Sequence, residues 1–295
     1  MLQMPRTTLR CQEKLLDLHQ PVVMGILNVT PDSFYDGGRY VTQDAVLRQA
    51  EKMLNEGAAM LDVGGMSSRP GAAIISVEEE TNRVVPVIEW LSTAFPEAVI
   101  SIDTVHAAVA KAAVAAGAAI INDISAGRMD TALYETVAEL GVPYILMHMQ
   151  GTPGTMQQNP IYADVVQEVL DFFIAEVGRL RALGVQDIVL DPGFGFGKTV
   201  THNYQLLSHL HIFQMLDLPI LAGLSRKSMI CRPLGIPPTE ALNGTTALHM
   251  VALQQGARIL RVHDVREAVE VVRLWQELAP HIPRFSYFNV STPQS

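Results

Sequence analysis

Residues Pro21–Gly38 read PVVMGILNVTPDSFYDGG, an apolar run that passes without polar alternation into a polar loop. A run of this kind predicts a parallel strand that is buried on both faces. Open doubly wound sheets, the alternative architecture, usually carry a G-x-G-x-x-G turn after the first strand. The loop NVTPDSFYDGG stands in that place here, so the segment favours a closed barrel over an open sheet.

The same unit, an apolar run followed by a segment with helical spacing, recurs along the chain. Helical spacing is clearest in residues 42–58, 76–95, 105–118 and 162–184. Strand and helix repeated eight times over about 250 residues predict a (β/α)8 TIM barrel formed by a single domain. The later apolar runs begin at Ala58, Ala98, Ala118, Val142, Asp187, Leu218 and Ala257, and glycines where helices would stop are Gly57, Gly117, Gly141 and Gly184.

Composition and charge exclude several classes of protein. Hydrophobic residues make up 48% of the 295 residues, which is enough for a large core. The net charge of −9 argues against a general polyanion binder, so we expect no nucleic-acid partner. The first twenty residues hold charged side chains and no long apolar run, so we expect no signal peptide and no membrane anchor. Cys11 and Cys231 lack a metal or redox spacing, which favours a reducing, cytoplasmic location.

No linker or low-complexity tract interrupts the predicted barrel, which we place at residues 21–280. Residues 1–20 are expected to form a leader segment that caps the bottom of the barrel. Residues 281–295 are expected to form a frayed C-terminal tail.

Polar residues stand where a barrel places its chemistry, at the C-terminal ends of the strands. Cationic residues follow the last two strands, the usual phosphate-binding corner of this fold. Asp103, Asn122 and Asp191 end other strands and would suit a flat heterocycle that presents N–H donors. We expect Asp62 and Asp264 only to cap the helices that follow them. The full set is Asn28, Asp62, Asp103, Asn122, Met147, His148, Asp191, Ser225, Arg226, Lys227, Arg261 and His263.

Two long loops, residues 28–40 and 64–73, flank this end of the barrel and are expected to close over a substrate. The segment GFGFGKT from Gly193 is not a Walker A loop, because only three residues separate its first glycine from the GK pair. If a divalent ion is used, we expect Mg²⁺, held mainly by phosphate oxygens of the substrate with few protein ligands.

The loops NVTPDSFYDGG and GGMSSRPGA resemble the two signature loops of the dihydropteroate synthases. The resemblance continues in family order through SIDT, INDISAG, LMHMQGTP, LDPGFGFGK, GLSRKSMI and RVHDV, from Pro21 to the helix after His263. It implies a transferase of folate biosynthesis that condenses 6-hydroxymethyl-7,8-dihydropterin diphosphate with p-aminobenzoate. It also implies Mg²⁺, a homodimer formed through outer helices, and a target of sulfonamides.

The resemblance assigns one group of residues to the pterin ring. Asp103, Asn122 and Asp191 would hold the ring through hydrogen bonds, and Asp103 is also counted as catalytic. The walls of the pocket would be Met147, Phe196 and Gly223.

A second group is assigned to the diphosphate and to p-aminobenzoate. Arg261 and His263 would grip the diphosphate, and Asn28 would ligate the Mg²⁺. Lys227 would contact the carbonyl side of the ring and the aminobenzoate region, and Ser228 would lie near the aminobenzoate carboxylate. Lys227, Arg261 and His263 complete the catalytic set; the second loop would contribute Ser68, Arg69 and Pro70 to the aminobenzoate and sulfonamide site.

The chain departs from the family pattern in the second loop, where Met66 replaces an acid and Ser68 replaces threonine. Two other functions stay open at this stage. A pterin-binding methyltransferase would use the same barrel but would need no diphosphate residues such as Arg261 and His263. A non-catalytic paralogue would keep the barrel as a binding module, and Met66 is the feature that supports it.

Overall fold

The computed structural model describes residues 8–29, 35–36, 40–66, 75–152, 154, 156 and 160–281. Within these residues, parallel strands form one sheet in the order β6-β5-β4-β3-β2-β1-β8-β7. A parallel bridge between Leu190 and Ile220 joins the two ends of this order and closes the barrel. The strands are β1 (Val22–Asn28), β2 (Met60–Gly64), β3 (Val99–Asp103), β4 (Ile120–Asp123), β5 (Tyr144–Met147), β6 (Ile188–Asp191), β7 (Leu221–Ala222) and β8 (Ile259–Val262).

Helices follow the strands and cover the outside of the barrel, as the repeated sequence unit predicts. They are α1 (Gln43–Asn55), α2 (Val77–Ala94), α3 (Ala107–Ala115), α4 (Leu133–Leu140), α5 (Val165–Ala182), α6 (Val200–Ser208), α7 (Ser228–Leu234), α8 (Leu242–Gln254) and α9 (Val265–Leu278). Short 3-10 helices span Leu210–Leu216, Pro238–Glu240 and Ala279–His281. The prediction of a (β/α)8 barrel is therefore confirmed.

Two helix termini illustrate why the sequence folds this way locally. The Asp164 side chain accepts hydrogen bonds from the backbone N–H groups of Val166 and Gln167, and so caps the start of α5. At the end of α4, Gly141 adopts φ +64°, a left-handed conformation that glycine reaches without a steric penalty. No helix in the described part of the chain has both the length and the apolar character needed to cross a membrane.

Alternate residues of each strand face the barrel interior or the helices. In β2, for example, Leu61 and Val63 pack in the large cluster beneath the helices, whereas Met60 packs inside the barrel. Asp62 is separated from Met60 by one residue, so it also faces inward. Most inward positions nearest the C-terminal ends of the strands carry polar side chains, with Met147 as an apolar exception, and those nearest the N-terminal ends are apolar.

A short antiparallel hairpin closes the N-terminal end of the barrel. Its strands are Thr8–Cys11 and Lys14–Asp17. The buried side chains of Leu9, Cys11 and Leu18 belong to the same cluster as the inward residues near the strand beginnings. The hairpin side chains thereby fill the N-terminal end of the barrel interior. The polar side chains that could take part in a reaction lie at the opposite end.

Candidate active site

The C-terminal end of the barrel gathers most of the predicted site residues. Asn122, Met147 and Asp191 are buried, with 3%, 2% and 5% of their surfaces exposed. Asp103 ends β3, and Arg261 is the third residue of β8. Ser68, Arg69 and Pro70, most of the first loop, and the predicted tail beyond residue 281 lie outside the described residues.

A buried network of charges occupies the centre of this end. The Arg261 guanidinium donates from Nε to Asp62 Oδ2 at 2.6 Å and from its terminal nitrogen to Asp103 Oδ2 at 2.7 Å. The Asn122 amide donates from Nδ2 to Asp62 Oδ2 at 3.0 Å. The expectation that Asp62 only caps a helix is wrong, because its inward direction from β2 turns the carboxylate toward Arg261.

This network brings the cationic Arg261 into direct contact with the acidic residues at the strand ends. Arg261 lies between two carboxylates. Burial raises the pKa of Asp103 to about 7, with Arg261 opposing the rise and Asp62 adding to it. Against the effect of burial, the carboxylates of Asp62 and Asp103 hold the pKa of Arg261 above its usual range.

Asp191 and Lys227 are a second pair of opposite charges, and each influences the pKa of the other. Burial raises the pKa of Asp191, and Lys227 opposes that shift. Burial lowers the pKa of Lys227 to about 8, with Asp191 opposing. The Lys227 ammonium donates to the carbonyl of Phe194 and lies 4.7 Å above the ring of Phe196. Gly223 lies beside it, since a Cβ at this position would be 3.7 Å from Lys227 Nζ.

His263 is held in the loop after β8 by Ser225, a contact that the sequence reasoning did not identify. Ser225 Oγ lies 3.0 Å from His263 Nδ1 and accepts from the His263 backbone N–H at 3.2 Å. Burial lowers the pKa of His263 to about 4, and Arg226 and Arg261 add to the shift. His263 is therefore neutral near pH 7. Ser228, predicted near the aminobenzoate carboxylate, begins α7 and is exposed.

Asp264 does not cap α9, which corrects the second capping expectation. It stands at the N-cap position without a capping hydrogen bond from its side chain. Its oxygens accept instead from Nε and a terminal nitrogen of Arg226, at 2.9 and 2.5 Å. Arg226 adopts φ +57°, unusual for a residue with a side chain, and this bidentate pair ties the loop after β7 to the loop after β8.

The mouth of the barrel has one apolar wall. Met147 and Phe196, the two predicted pocket walls with large side chains, pack in the same buried cluster. Met66, the departure from the family pattern, packs against this cluster and is partly buried. The other members of the cluster are Val105, Ile124, Met149, Met156 and Met129.

Lys198 is a buried cation that the sequence reasoning passed over when it rejected the Walker A loop. Its Nζ lies 2.9 Å from His148 Nδ1 and donates to the carbonyls of His148, Gly193 and Phe196 at 3.0–3.2 Å. Burial lowers the pKa of Lys198 and lowers that of His148 to about 2, so His148 is a neutral acceptor. Lysine is rarely buried without partners. The position of Lys198 soon after the buried strand β6 was therefore the signal that could have identified it.

Asn28 ends β1, and its side chain lies beside Gly64. A Cβ at Gly64 would lie 3.4 Å from Asn28 Oδ1 and 3.8 Å from Asp103 Oδ2. Glycine therefore leaves free a small space that two oxygens border. Among the described residues no three His, Cys, Asp or Glu side chains converge as metal ligands. A cation here would be of the kind that takes few protein oxygens and shares phosphate oxygens.

Comparisons with known proteins agree with this geometry. The model of the family "Pterin binding enzyme" matches residues 24–263. The chain is 50% identical over 261 residues to the dihydropteroate synthase of Escherichia coli K12, covering 88% of this chain and 92% of that protein.

Solved structures give the same result. The Yersinia pestis dihydropteroate synthase with a sulfonamide drug complex has a TM-score of 0.88 and 45% identity, over 92% of this chain and 99% of that one. The Xanthomonas albilineans dihydropteroate synthase in complex with 7,8-dihydropteroate has a TM-score of 0.83 and 42% identity, over 94% of this chain and 100% of that one. The chain therefore belongs to the pterin-binding enzyme family, within its group of dihydropteroate synthases.

Proposed function

We propose that the chain joins the methylene carbon of 6-hydroxymethyl-7,8-dihydropterin diphosphate to the amine of p-aminobenzoate, forming 7,8-dihydropteroate and diphosphate in folate biosynthesis. The observation that carries this proposal is the meeting of buried acceptors and cations at one end of the barrel. Asp103, Asn122 and Asp191 offer acceptors for a donor-bearing ring, and Arg261 and Lys227 lie beside them. The relatives named above are dihydropteroate synthases, and one holds 7,8-dihydropteroate.

Ring binding is the first part of the proposed mechanism. A carboxylate can accept two parallel N–H bonds from the amidine-like edge of a pterin. Asp191 is a buried carboxylate that pairs with Met147 of the apolar wall in the register of β5 and β6. Met147 and Phe196 would cover the faces of the ring. The Lys227 ammonium would donate to the carbonyl side of the ring.

Charge separation is the second part. As the bond from the methylene carbon to the diphosphate oxygen breaks, its electron pair leaves with diphosphate, and positive charge develops on the carbon and the ring. Asp103 would stabilise that positive charge, while Arg261 and neutral His263 would hold the departing oxygens. The unprotonated arylamine nitrogen then forms the new C–N bond and releases its proton to solvent.

The residues present suit Mg²⁺ as the cofactor. Asn28 Oδ1 would be its protein ligand, in the space that Gly64 leaves free, and diphosphate oxygens would supply further ligands. When bound, the ion would supply positive charge against the developing negative charge of the leaving group.

The decisive experiment incubates the purified protein with Mg²⁺, 6-hydroxymethyl-7,8-dihydropterin diphosphate and p-aminobenzoate, with mass spectrometry to detect dihydropteroate. We expect product, its loss in Asp191→Asn through weakened pterin binding, and inhibition by a sulfonamide in competition with p-aminobenzoate. Absence of product would refute the proposal. Omission of Mg²⁺ should lower the rate. An unchanged rate would contradict the proposed roles of the ion and of Asn28.

We further propose a cytoplasmic homodimer. Both cysteines are free and buried, as in a reducing compartment. Tyr204, Leu234 and Leu242 expose 38%, 55% and 37% of their surfaces on neighbouring outer helices α6, α7 and α8. Light scattering should give twice the chain mass, and Leu234→Glu should shift it toward the monomer. A monomer for the unmodified protein would contradict the dimer.

A further inference from the structure

We propose that Asp62 is a positioning residue that sets the hydrogen-bonding pattern of the pterin pocket by holding the side chains of Asn122 and Arg261. This inference rests on the proposed function and deepens it. One atom, Asp62 Oδ2, accepts both from Arg261 Nε at 2.6 Å and from Asn122 Nδ2 at 3.0 Å. Residues from β2, β4 and β8 therefore meet on a single carboxylate that is fully buried.

The first consequence concerns the orientation of the Asn122 amide. An amide has a donating and an accepting end, and either end could face the pocket. The Nδ2 end of Asn122 donates to Asp62 Oδ2, so this contact holds the amide with its nitrogen toward Asp62. The orientation of Oδ1 and of the second N–H of Asn122 is then determined before any ring binds.

The second consequence concerns Asp103. Arg261 binds both Asp62 and Asp103, so Asp103 is engaged by a cation in the free protein. When a ring takes hydrogen bonds from Asp103, Asp62 remains as the partner that balances the Arg261 charge. Without Asp62, Arg261 would have Asp103 as its remaining carboxylate partner among these contacts, and a ring would compete with the guanidinium for it.

Asp62 is also costly as a purely structural residue. Its other oxygen, Oδ1, is buried and has no hydrogen-bond partner among the described residues. A buried carboxylate oxygen without a hydrogen-bond partner costs desolvation free energy, whatever the function of the residue. Stability alone would not favour an acid at this position, and the contacts of Asp62 Oδ2 with Arg261 and Asn122 indicate a role in the site.

The test measures binding of 6-hydroxymethyl-7,8-dihydropterin, the ring without diphosphate, by calorimetry. Asp62→Asn should weaken this binding about tenfold or more, because it removes the carboxylate and can present a donor to Asn122 or Arg261. In turnover, KM for the dihydropterin diphosphate should rise more than kcat falls, and KM for p-aminobenzoate should stay unchanged. Equal changes in both KM values would indicate general damage and overturn the proposal.

A double-mutant cycle separates positioning from bulk effects. If Asp62 acts partly through Asn122, the loss caused by Asp62→Asn should shrink at least about threefold in an Asn122→Ala background. Fully additive losses would overturn the proposal. Asp62→Ser is the second variant, in case the amide prevents folding, and the same loss of ring affinity is expected.

Ser101→Ala is the matched control. Ser101 pairs with Asp62 in the register of β2 and β3, and its buried hydroxyl has no hydrogen-bond partner in the described structure. Ring affinity should stay within about twofold of the unmodified protein, because neither Asn122 nor Arg261 loses a contact. A loss as large as that of Asp62→Asn would overturn the inference. Failure of the unmodified protein to bind the ring would refute the proposed function, and this inference with it.

Discussion

At the mouth of the barrel, burial is the main cause that shifts the pKa values of single side chains from their usual range. Lys227 and His263 move toward their neutral forms, and Asp103 does so despite its contact with Arg261. A pKa near the working pH leaves a group able to exist in both states. Asp103 and Lys227 are in this range, so the pH dependence of ligand binding should report on them.

The affinity for the dihydropterin ring should fall about tenfold between pH 7 and pH 9, because Lys227 loses its proton near pH 8 and with it part of its donor strength. Calorimetry across this range measures the effect. In Lys227→Arg the slope should disappear, since a guanidinium stays protonated. The same slope in the variant would show that another group titrates.

His249 makes a prediction about stability rather than binding. It is buried in α8, both ring nitrogens lack a partner among the described residues, and burial lowers its pKa to about 4. Near pH 7.5 the His249 imidazole is mainly neutral in both the folded and the unfolded chain, so its titration contributes little to the free energy of unfolding. As the pH falls from 6.5 toward 4 the unfolded chain binds a proton that the folded chain does not, so up to about 3 kcal/mol of stability is lost.

Urea unfolding at pH 7.5 and pH 4.5 tests this expectation. His249→Leu should lose less stability between these two pH values than the unmodified protein. An identical loss in both proteins would assign the acid sensitivity to other groups.

At the scale of elements, the loops after the strands are held by contacts between neighbouring loops. Lys198 binds carbonyls from the segments after β5 and β6, and Arg226 joins the segments after β7 and β8. Strand positions were predictable from apolar runs, because burial on both faces leaves a local composition signal. Loop contacts were not, since they join residues far apart in the chain, as in the distance of 38 positions between Arg226 and Asp264.

Lys198→Met should destabilise the protein by about 2–4 kcal/mol, because three carbonyls and the His148 ring lose a donor inside the fold. Affinity for the dihydropterin ring should also fall, because Phe196 lies in the segment whose carbonyls lose the Lys198 donor. Thermal unfolding and calorimetry measure the two effects. Lys52→Met, at an exposed lysine on α1, is the control and should change stability by no more than about 0.5 kcal/mol.

At the scale of the whole molecule, the barrel is closed around an interior that differs at its two ends. The hairpin and the apolar inward residues fill the N-terminal end, whereas the C-terminal end holds charged and amide groups. The packed end supports the strands, and the open end is left for chemistry. Stability and function should therefore respond to different sets of substitutions.

Leu18→Ala should cost about 3 kcal/mol and leave the KM values unchanged, because Leu18 is fully buried in the cluster at the hairpin end. Leu15→Ala provides the matched control, since Leu15 exposes 75% of its surface and should matter by less than about 0.5 kcal/mol. Chemical unfolding and steady-state kinetics give both quantities. A rise in KM for Leu18→Ala would show that the two ends are coupled.

The amino-acid sequence by itself determined the barrel, the position of each strand and the residue types at the strand ends, because hydrophobic period and glycine punctuation are local properties. It also determined that Asp103, Asn122, Asp191 and Arg261 belong to one end. Only the tertiary structure decided which of these groups touch. The Asp62 carboxylate was expected only to cap the helix that follows it in the chain. Barrel closure instead brings β8 beside β1 and directs Arg261 toward β2 and β3. Burial in that shared interior then sets the charges, which no local pattern encodes.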